Sequence, residues 1–265
     1  MAPLVWDDPR VDWSQVALVL VRTTWDYTER LSEYLAWVDL VDAVTVLRNP
    51  ASVIRWNSHK SYLRDLAARG VPTVPTVWLG AGGDDIAAIA VSGWDRVVVK
   101  PSVSAGARDT WLTTTHALLG DERERLEWFV AARDVMVQPY LAQVERRGEV
   151  SLLAVRGQVT HAVRKLPAPG DFRVQDEFGG THAAVAPTAT ERAVAAAALA
   201  ATPEPTLYAR IDLLPGDDGE PRLVELEVIE PALFLGYSVA GTAALADAVA
   251  TEVATRSIRG RRRRG

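Results

Sequence analysis

Hydrophobic positions near the start of the chain switch between continuous and helical spacing. Residues 16–21 (VALVLV) form an unbroken apolar run, which is typical of a strand buried in a parallel sheet. Apolar residues then recur at helical spacing from Leu31 to Val41, and a second, mostly apolar run occupies residues 44–47. This strand–helix–strand order predicts a small parallel sheet in the N-terminal part of the chain.

The middle of the chain predicts short helices and strands. Asn57 and Ser58 are typical helix caps, and the helix that they introduce is expected to end at Gly70. Two prolines favour extended backbone over residues 71–79. The remaining predicted elements here are strands over residues 97–100 and 135–137 and a helix over 122–132.

The second half of the chain predicts an antiparallel sheet. Arg156-Gly157 indicates a tight hairpin turn, and Thr188 with Glu191 forms a capping box that begins a helix over residues 191–201. A last helix is expected over 242–258. The candidate strands are residues 150–155, 158–163, 208–214 and 223–228. The fold class predicted from these elements is mixed α/β (α+β).

Charged residues alternate on the last two of these strands. Because residues i and i+2 of a strand share a face, Arg210 lies beside Asp212 and Glu225 beside Glu227. If the strands pair, three carboxylates and one guanidinium converge, and such carboxylates repel one another unless a cation lies among them. Oxygen-only ligands favour Mg²⁺ or Mn²⁺, which often also hold substrate phosphates. The alternative is an edge strand whose acidic residues face the solvent.

Composition narrows the function classes. The chain has 265 residues, 48% of them hydrophobic, which is enough for one large or two smaller compact units. It contains no cysteine, no apolar stretch of membrane-spanning length and no visible secretory signal, so we expect a cytoplasmic protein without disulfides, thiolate zinc sites or thiol nucleophiles. The net charge is −5 although six arginines lie within residues 256–264. The acidic remainder argues against nucleic acid as the main ligand; the arginine-rich end is interpreted as a disordered tail, with an anionic surface as the alternative.

Lys100 ends an apolar strand immediately before a loop of small residues, 102–107. A lysine there can place its ammonium against a phosphate while the backbone N–H groups of the loop approach the same group. A lysine at a strand end is common, so this signal is weak alone. Together with the carboxylates it indicates ATP and Mg²⁺, which need both a cationic clamp and an anionic metal site.

The late strands resemble those of the ATP-grasp superfamily of carboxylate–amine ligases, closest to the branch of glutathione synthetase, ribosomal-S6-type glutamate ligases and D-cycloserine ligase. The resemblance extends from about Trp13 to Ala250. Residues 209–212 (ARID) are similar to the family's Arg-x-Asp strand, and residues 225–227 (ELE) stand where the family usually has Glu-x-Asn. The resemblance implies that Arg210 contacts the transferring phosphate and that two Mg²⁺ ions, or Mn²⁺, are held by Asp212, Glu225 and Glu227.

Other positions follow from the same resemblance. Residues 57–60 (NSHK) are similar to the family's N-x-x-K segment, which implies that Lys60 and Lys100 touch the ATP phosphates; a solvated helix lysine is the alternative for Lys60. Glu149 stands where an acidic residue receives the ribose hydroxyls. The hinge whose backbone reads adenine corresponds to Gln138, Pro139, Tyr140 and Leu141.

A glycine-bracketed loop carries a third motif. Residues 172–175 (FRVQ), followed by Gly179-Gly180, are similar to the family's F-R-x-N…GG segment, with Gln175 in place of Asn. The resemblance implies that Arg173 holds the γ-phosphate and the acyl-phosphate from a lid, and a flexible loop is compatible with that role. On the strand before it, His161 and Lys165 share a face, either towards substrate or, for His161, as a structural histidine.

The loop after the first strand is the candidate for substrate recognition, since ligands of open α/β sheets bind beyond the carboxyl ends of strands. It contains Arg22, Thr23, Thr24 and Asp26, with Trp25 and Tyr27 as pocket walls or as core residues. Family members usually have a complete strand–helix unit before the stretch that corresponds to Trp6. The N-terminal domain is therefore expected to be shortened by one βα unit.

The resemblance implies an ATP-grasp fold, in which two α+β subdomains clamp ATP after a shortened parallel α/β domain. The expected boundaries are 1–56, 57–137, 138–258 with the metal site, and a tail at 259–265. The expected activity is an ATP- and Mg²⁺-dependent ligase that forms an amide or cyclic amide on a small amino-acid-like substrate through an acyl-phosphate. The alternatives are a small-molecule kinase on the same fold and a non-catalytic ATP-binding module. Expected partners are small carboxylates and amines, without nucleic acid or membrane, in a chain that could form the homodimer common in the family.

Overall fold

The computed structural model describes residues 2–81 and 83–262, and its strands form three sheets. One is a parallel pair, and the other two are antiparallel sheets of four and five strands. The predicted mixed α/β class is confirmed. Within these residues, no helix combines the length and the apolar character that a membrane crossing requires.

The N-terminal unit is the predicted strand–helix–strand. Strands β1 (Leu18–Leu20) and β2 (Val46–Arg48) pair in parallel, and helix α1 (Leu31–Val44) connects them. The buried face of α1 is aromatic: its Tyr34 and Trp37 rings lie 5.4 Å apart and meet the indole of Trp6 at 5.5 and 6.0 Å. Two 3-10 turns, Trp13–Gln15 and Trp25–Thr28, flank β1.

The four-stranded sheet has the strand order β3-β6-β4-β5. Alternation along β4 buries Val97 and Val99 in the core and leaves Lys100 on the other face, as a strand period of two requires. The strands are β3 (Val77–Leu79), β4 (Arg96–Pro101), β5 (Trp111–Thr114) and β6 (Val135–Pro139). The helices of this region are α2 (Ala51–Asn57), α3 (Tyr62–Ala68), α4 (Ala87–Val91), α5 (Thr115–Leu119) and α6 (Arg123–Ala132).

The five-stranded sheet has the order β11-β10-β7-β8-β9. Its strands are β7 (Glu149–Val155), β8 (Gln158–Leu166), β9 (Thr181–Val185), β10 (Tyr208–Pro215) and β11 (Pro221–Glu227). The accompanying helices are α7 (Val144–Arg147), α8 (Ala189–Ala200) and α9 (Val239–Arg262), with 3-10 turns at Asp176–Phe178 and Leu235–Tyr237.

The two faces of this sheet differ in polarity. On one face, buried apolar side chains such as Leu152, Ile211 and Leu226 pack against Ala195 and Ala198 of α8. The intervening residues point to the opposite face, where the strands carry carboxylates, a serine and an arginine. Burial of the apolar face therefore forces the charged residues of β7, β10 and β11 onto one surface.

Three sequence predictions need correction. Asn57 does not cap a helix: it ends α2, and its amide clamps β11 by donating to the Leu226 carbonyl at 2.7 Å and accepting from Val228 N–H at 3.2 Å. Strands β5 and β9 were not predicted, because both are short and largely half-exposed or exposed. The final helix is described as far as Arg262, so it overlaps the tail expected at 259–265, of which residues 263–265 lie outside the described residues.

Candidate active site

The pairing of β10 with β11 brings the alternating charges together. Arg210 lies opposite Glu227, and Asp212 lies opposite Glu225. One carboxylate oxygen from each of the three acids lies within 4.8 Å of the others. The convergence expected from the alternation is therefore found. The alternative is correct in that β11 is an edge strand, but its acids do not face open solvent: the side chains of Glu225 and Glu227 are 26% and 25% exposed, and Asp212 on β10 is 1% exposed.

Arg210 ties two of the acids together. Its Nε lies 3.0 Å from both oxygens of Asp212, and its Nη2 donates to Asp212 Oδ2 at 2.8 Å and contacts Glu227 Oε1 at 2.7 Å. Asp212 also accepts from the Ser151 hydroxyl at 2.5 Å and lies 3.5 Å from the Lys165 amine. Burial by itself would raise the pKa of Asp212, but Arg210 and Lys165 hold that pKa at about 2. Asp212 is therefore ionised at neutral pH.

The pKa values of the other two acids, Glu225 and Glu227, are shifted by burial and by neighbouring charges. Burial, together with the nearby carboxylates of Glu225 and Glu230, raises the pKa of Glu227 to about 8. Burial opposes ionisation of Glu225 as well, but an ion pair with Lys60 lowers its pKa. Repulsion of this kind is relieved by a divalent cation, and all three donors are oxygens. The residues present thus fit Mg²⁺ or Mn²⁺.

Two lysines face the acids from the neighbouring sheet region. Lys60 is 8% exposed, and its amine lies 2.7 Å from Glu225 Oε1 and donates to the Ser104 carbonyl at 2.8 Å. It lies between α2 and α3 rather than on a helix surface, so the interpretation of Lys60 as a solvated helix lysine is wrong. Burial lowers the pKa of Lys100 to about 8, although Glu225 opposes this. The two amines and the loop that holds Ser104 form a cationic wall opposite the acids.

The predicted hinge joins the two larger sheets. Gln138 is buried and donates to the Thr76 hydroxyl at 2.8 Å, and Tyr140 N–H donates to the Arg96 carbonyl at 2.9 Å. The Arg96 guanidinium lies 4.2 Å from the Tyr140 ring. Pro139 ends β6 and Leu141 is buried. Recognition of adenine by this segment stays a prediction.

Glu149 lies on the same face as Asp212 and forms a close ion pair with Lys165, its partner in the β7–β8 register. Burial raises the pKa of Glu149. Burial would lower the pKa of Lys165, but Asp212 and Glu149 raise it. Lys165 therefore neutralises two acids, and the contact of Glu149 with a ribose stays a prediction. His161 has a structural environment, with its Nε2 3.1 Å from the Leu233 carbonyl oxygen.

Arg173 is not brought to the acids. It lies in the loop between β8 and β9, where its Nε and Nη2 donate to Asp171 at 3.0 and 2.8 Å and its guanidinium stacks 3.6 Å from the Phe178 ring. The flanking Gly179 has a positive φ of 79° that favours glycine. Contact of Arg173 with a phosphate requires movement of this loop and stays a prediction.

The candidate substrate loop lies against the segment that follows β11. Arg22 Nη2 donates to the Pro231 carbonyl at 2.9 Å, and Asp26 accepts from the Trp6 indole at 3.0 Å. Of the two aromatic residues expected as walls, Tyr27 is buried beside Glu225, whereas Trp25 is 66% exposed. The position of the loop suits substrate recognition, and the individual roles stay predictions.

Three residues of the site were missed by the sequence reasoning. Ser151 could have been found, because it lies two residues after Glu149 on the same strand face. Glu230 is buried beside the acids but follows the strand, where alternation no longer applies. The Tyr62 hydroxyl accepts from Leu226 N–H at 2.9 Å and so helps to fix β11, a contact between residues 164 positions apart that no local pattern signals.

Several known proteins are similar to this chain in sequence or in structure. A family described as the N-terminal domain of D-cycloserine synthetase DcsG matches residues 1–49. The cycloserine biosynthesis protein DcsG of Streptomyces lavendulae is 35% identical over 260 residues, covering 92% of this chain and 86% of that protein. The crystal structure of D-cycloserine synthetase DcsG is similar with a TM-score of 0.82 and 34% identity, over 94% of this chain and 88% of that one. The ATP-grasp ligase PsnB, complexed with a minimal precursor, Mg and ADP, shares the fold at a TM-score of 0.62 and 20% identity, over 89% of this chain and 77% of that one.

Proposed function

The chain belongs to the DcsG family of ATP-grasp ligases, and we propose that it activates the carboxylate of a small amino-acid-like substrate as an acyl-phosphate and couples it to an amine. It is an ATP-dependent ligase that forms carbon–nitrogen bonds.

The observation that carries the proposal is the opposition of acids and amines across one pocket. Asp212, Glu225 and Glu227 offer oxygen ligands within 4.8 Å of one another, and Lys60 reaches Glu225 at 2.7 Å. The acids would hold Mg²⁺, in our proposal two ions, and the amines would bind phosphate oxygens. ATP supplies the phosphoryl group that activates the carboxylate, and Mg²⁺ offsets the charge of the phosphates.

The side chains of this chain have binding and electrostatic roles in the proposal. Lys60 and Lys100 bind phosphate oxygens, and Arg210, already oriented by Asp212, stabilises charge that develops on the transferring group. Arg173 approaches from the loop between β8 and β9. No side-chain nucleophile is required, which agrees with the absence of cysteine. A substrate carboxylate attacks the γ-phosphorus and expels ADP, and an amine then displaces phosphate and loses a proton as the amide forms.

Ring closure is one form of this reaction. The relatives are named for cycloserine, whose ring contains an amide bond, so a chain of the same family could join a carboxylate and an amine of one molecule. We propose that this chain makes an amide or a cyclic amide. The two are separated by whether product formation needs a second amine-bearing molecule.

The test is ADP release across a panel of small amino-acid-like carboxylates, with and without added amines. The Asp212→Asn variant should lose at least about 100-fold in turnover, because it removes a ligand and an ionised partner of Arg210. Asp42→Asn, an exposed aspartate on α1 away from the pocket, is the matched control and should stay within twofold of the parent. Normal turnover by Asp212→Asn would refute the assignment.

The two alternatives expected from the sequence, a small-molecule kinase and a non-catalytic ATP-binding module, do not agree with membership of this ligase family.

A further inference from the structure

One buried carboxylate beside the pocket has no partner. Glu230 is 8% exposed as a whole residue, and within the described part of the chain its side chain forms no hydrogen bond and no ion pair. Its carboxylate oxygens are not fully buried and keep some access to solvent. It lines the same pocket as Lys60, Glu225 and Glu227. A buried, unpaired carboxylate is unfavourable, and most such groups in folded proteins are satisfied.

None of the nearby cations forms an ion pair with Glu230 among the described residues. Arg210 binds Asp212 and Glu227, and Lys60 binds Glu225 and the Ser104 carbonyl. Arg22 uses Nη2 for the Pro231 carbonyl, while its buried Nη1 has no partner among the described residues. The Arg22 and Glu230 side chains influence each other electrostatically without forming an ion pair. The charge of Glu230 is thus left for a group from outside the chain.

The backbone around Glu230 is held in place. The oxygen of the buried Tyr208 hydroxyl lies 2.6 Å from the Val21 carbonyl oxygen and 2.9 Å from that of Ile229, and these carbonyls share its single proton. These residues immediately precede Arg22 and Glu230, so one hydroxyl connects both segments. The carbonyl of Pro231, directly after Glu230, accepts from Arg22. The backbone on both sides of Glu230 is therefore fixed, which limits the positions that its side chain can reach.

Glu230 does not belong to the metal-ligand group. The carboxylates with converging oxygens, among the residues described, are those of Asp212, Glu225 and Glu227. An ammonium ion suits Glu230 better, because three N–H donors can satisfy a carboxylate directly. Burial also raises the pKa of Glu230 to about 7, as expected for a carboxyl that lacks its counter-ion.

We propose that Glu230 binds an ammonium group of a small amino-acid substrate and orients that substrate beside Asp212, Glu225 and Glu227. This inference rests on the proposed ligase function and names the feature that the substrate must carry, an unblocked primary amine. Arg22 is a positioning residue that acts through the backbone next to Glu230.

The experiment compares ligands that differ only in the amine. The probes with a free amine are D-serine, L-serine, D-alanine, L-alanine and D-cycloserine. Each serine and alanine is compared with its N-acetylated form and with the hydroxy acid in which a hydroxyl replaces the amine. Binding to the protein with Mg²⁺ and ADP is measured by calorimetry and by the shift of the melting temperature. We expect at least one free amine to bind at least tenfold more tightly than its amine-free counterpart. Equal binding of all pairs, or binding of none, overturns the proposal without any mutation.

The Glu230→Gln variant tests the residue. The preference for the amine should fall from at least tenfold to about one, while ADP affinity stays within about twofold. Glu33→Gln, an exposed glutamate paired with Arg30, is the matched control and should keep the parental preference. A preference that survives in Glu230→Gln overturns the assignment. Because the readout is binding, it can fail while ADP release succeeds, which separates this inference from the ligase function.

The same ligands distinguish two roles of the amine that binds Glu230. An amine that binds through Glu230 and is also the nucleophile is consumed during ADP release. An amine that only orients the substrate is retained in the product.

Discussion

Replacement of Glu230 by Gln is expected to stabilise the ligand-free protein, most strongly at alkaline pH. Glu230 is 8% exposed, and its side chain forms no hydrogen bond or ion pair with the described residues. Glutamine has nearly the same volume and no charge, so the substitution removes a buried charge without creating a cavity. A residue retained for ligand binding can carry such a stability cost, as is common at functional sites.

The size of the effect follows from the pKa of Glu230. An unfolded chain ionises this residue near the ordinary pKa of 4.5, whereas burial, reinforced by Glu225, raises the pKa in the folded protein to about 7. The folded state therefore binds more protons between these values, and the stability of the parent protein falls as pH rises from 4.5 through 7. Below this window the two proteins should be almost equally stable. Above it, Glu230→Gln should be more stable by up to about 3 kcal/mol, at about 1.4 kcal/mol for each tenfold change in proton affinity.

The assay is urea denaturation at pH 5 and pH 8.5, in EDTA and without nucleotide. The difference in the free energy of unfolding should be below about 1 kcal/mol at pH 5 and about 2–3 kcal/mol at pH 8.5. Glu33→Gln should change stability by less than about 0.5 kcal/mol at both pH values, because it removes an exposed ion pair. A Glu230→Gln protein that is less stable than the parent at pH 8.5, or a difference independent of pH, would show that Glu230 has a stabilising partner.

Three further predictions concern the nucleotide and the N-terminal unit. Since the pKa of Lys100 is lowered to about 8, the affinity for ADP without metal should fall as pH rises above 8, by up to about tenfold per pH unit. In fluorescence titrations, the affinity of Lys100→Arg should be nearly insensitive to pH over this range, because arginine stays charged. Equal pH dependence of the affinity in both proteins would contradict this prediction. Arg173→Ala should reduce kcat about 100-fold and leave the Kd for ATP within about threefold, because Arg173 is held by Asp171 away from the pocket. A comparable loss in kcat and in ATP affinity would show instead that Arg173 already contacts ATP before the reaction. Tyr208→Phe should lower the free energy of unfolding by about 1–3 kcal/mol in urea denaturation, since it removes the single buried O–H that the carbonyls of Val21, Arg48 and Ile229 share. Tyr237→Phe at an exposed site should have no such effect. A loss below about 0.5 kcal/mol for Tyr208→Phe would show that this hydroxyl does not stabilise the contact between the two segments.

Elements with a clear local signal were predicted correctly. Helix α8 begins with the capping box of Thr188 and Glu191, in which both reciprocal hydrogen bonds form. The hairpin between β7 and β8 turns at Arg156 and Gly157, with positive φ angles of 49° and 75°. Strand β9 was missed because most of its residues are exposed, so its sequence has no clear apolar alternation. It becomes a strand because the edge of β8 offers hydrogen bonds to it.

Two site predictions show where local reasoning stops. The sequence predicts a helix start at residues 57–60, but Asn57 ends α2 and binds the backbone of β11, while Lys60 reaches Glu225 from the turn that follows. Arg173 was expected at the phosphates, but it is bound by Asp171 two residues away. Both outcomes depend on partners supplied by the folded chain: a distant strand in one case and a loop conformation in the other.

The charged pairs Arg210/Asp212 and Glu225/Glu227 were readable from the chain because the covalent geometry of a strand places every second side chain on one face. The convergence of these pairs could not be predicted from the sequence, because it depends on the register that sets Asp212 opposite Glu225. It also depends on Ser151, which lies 61 residues before Asp212 and donates a hydrogen bond to the Asp212 carboxylate. That register follows from the fit of the opposite, apolar face against α8, which involves residues far apart in sequence. The partnerless state of Glu230 has the same origin: whether a buried charge is satisfied depends on all its neighbours in space, and folding alone decides which neighbours those are.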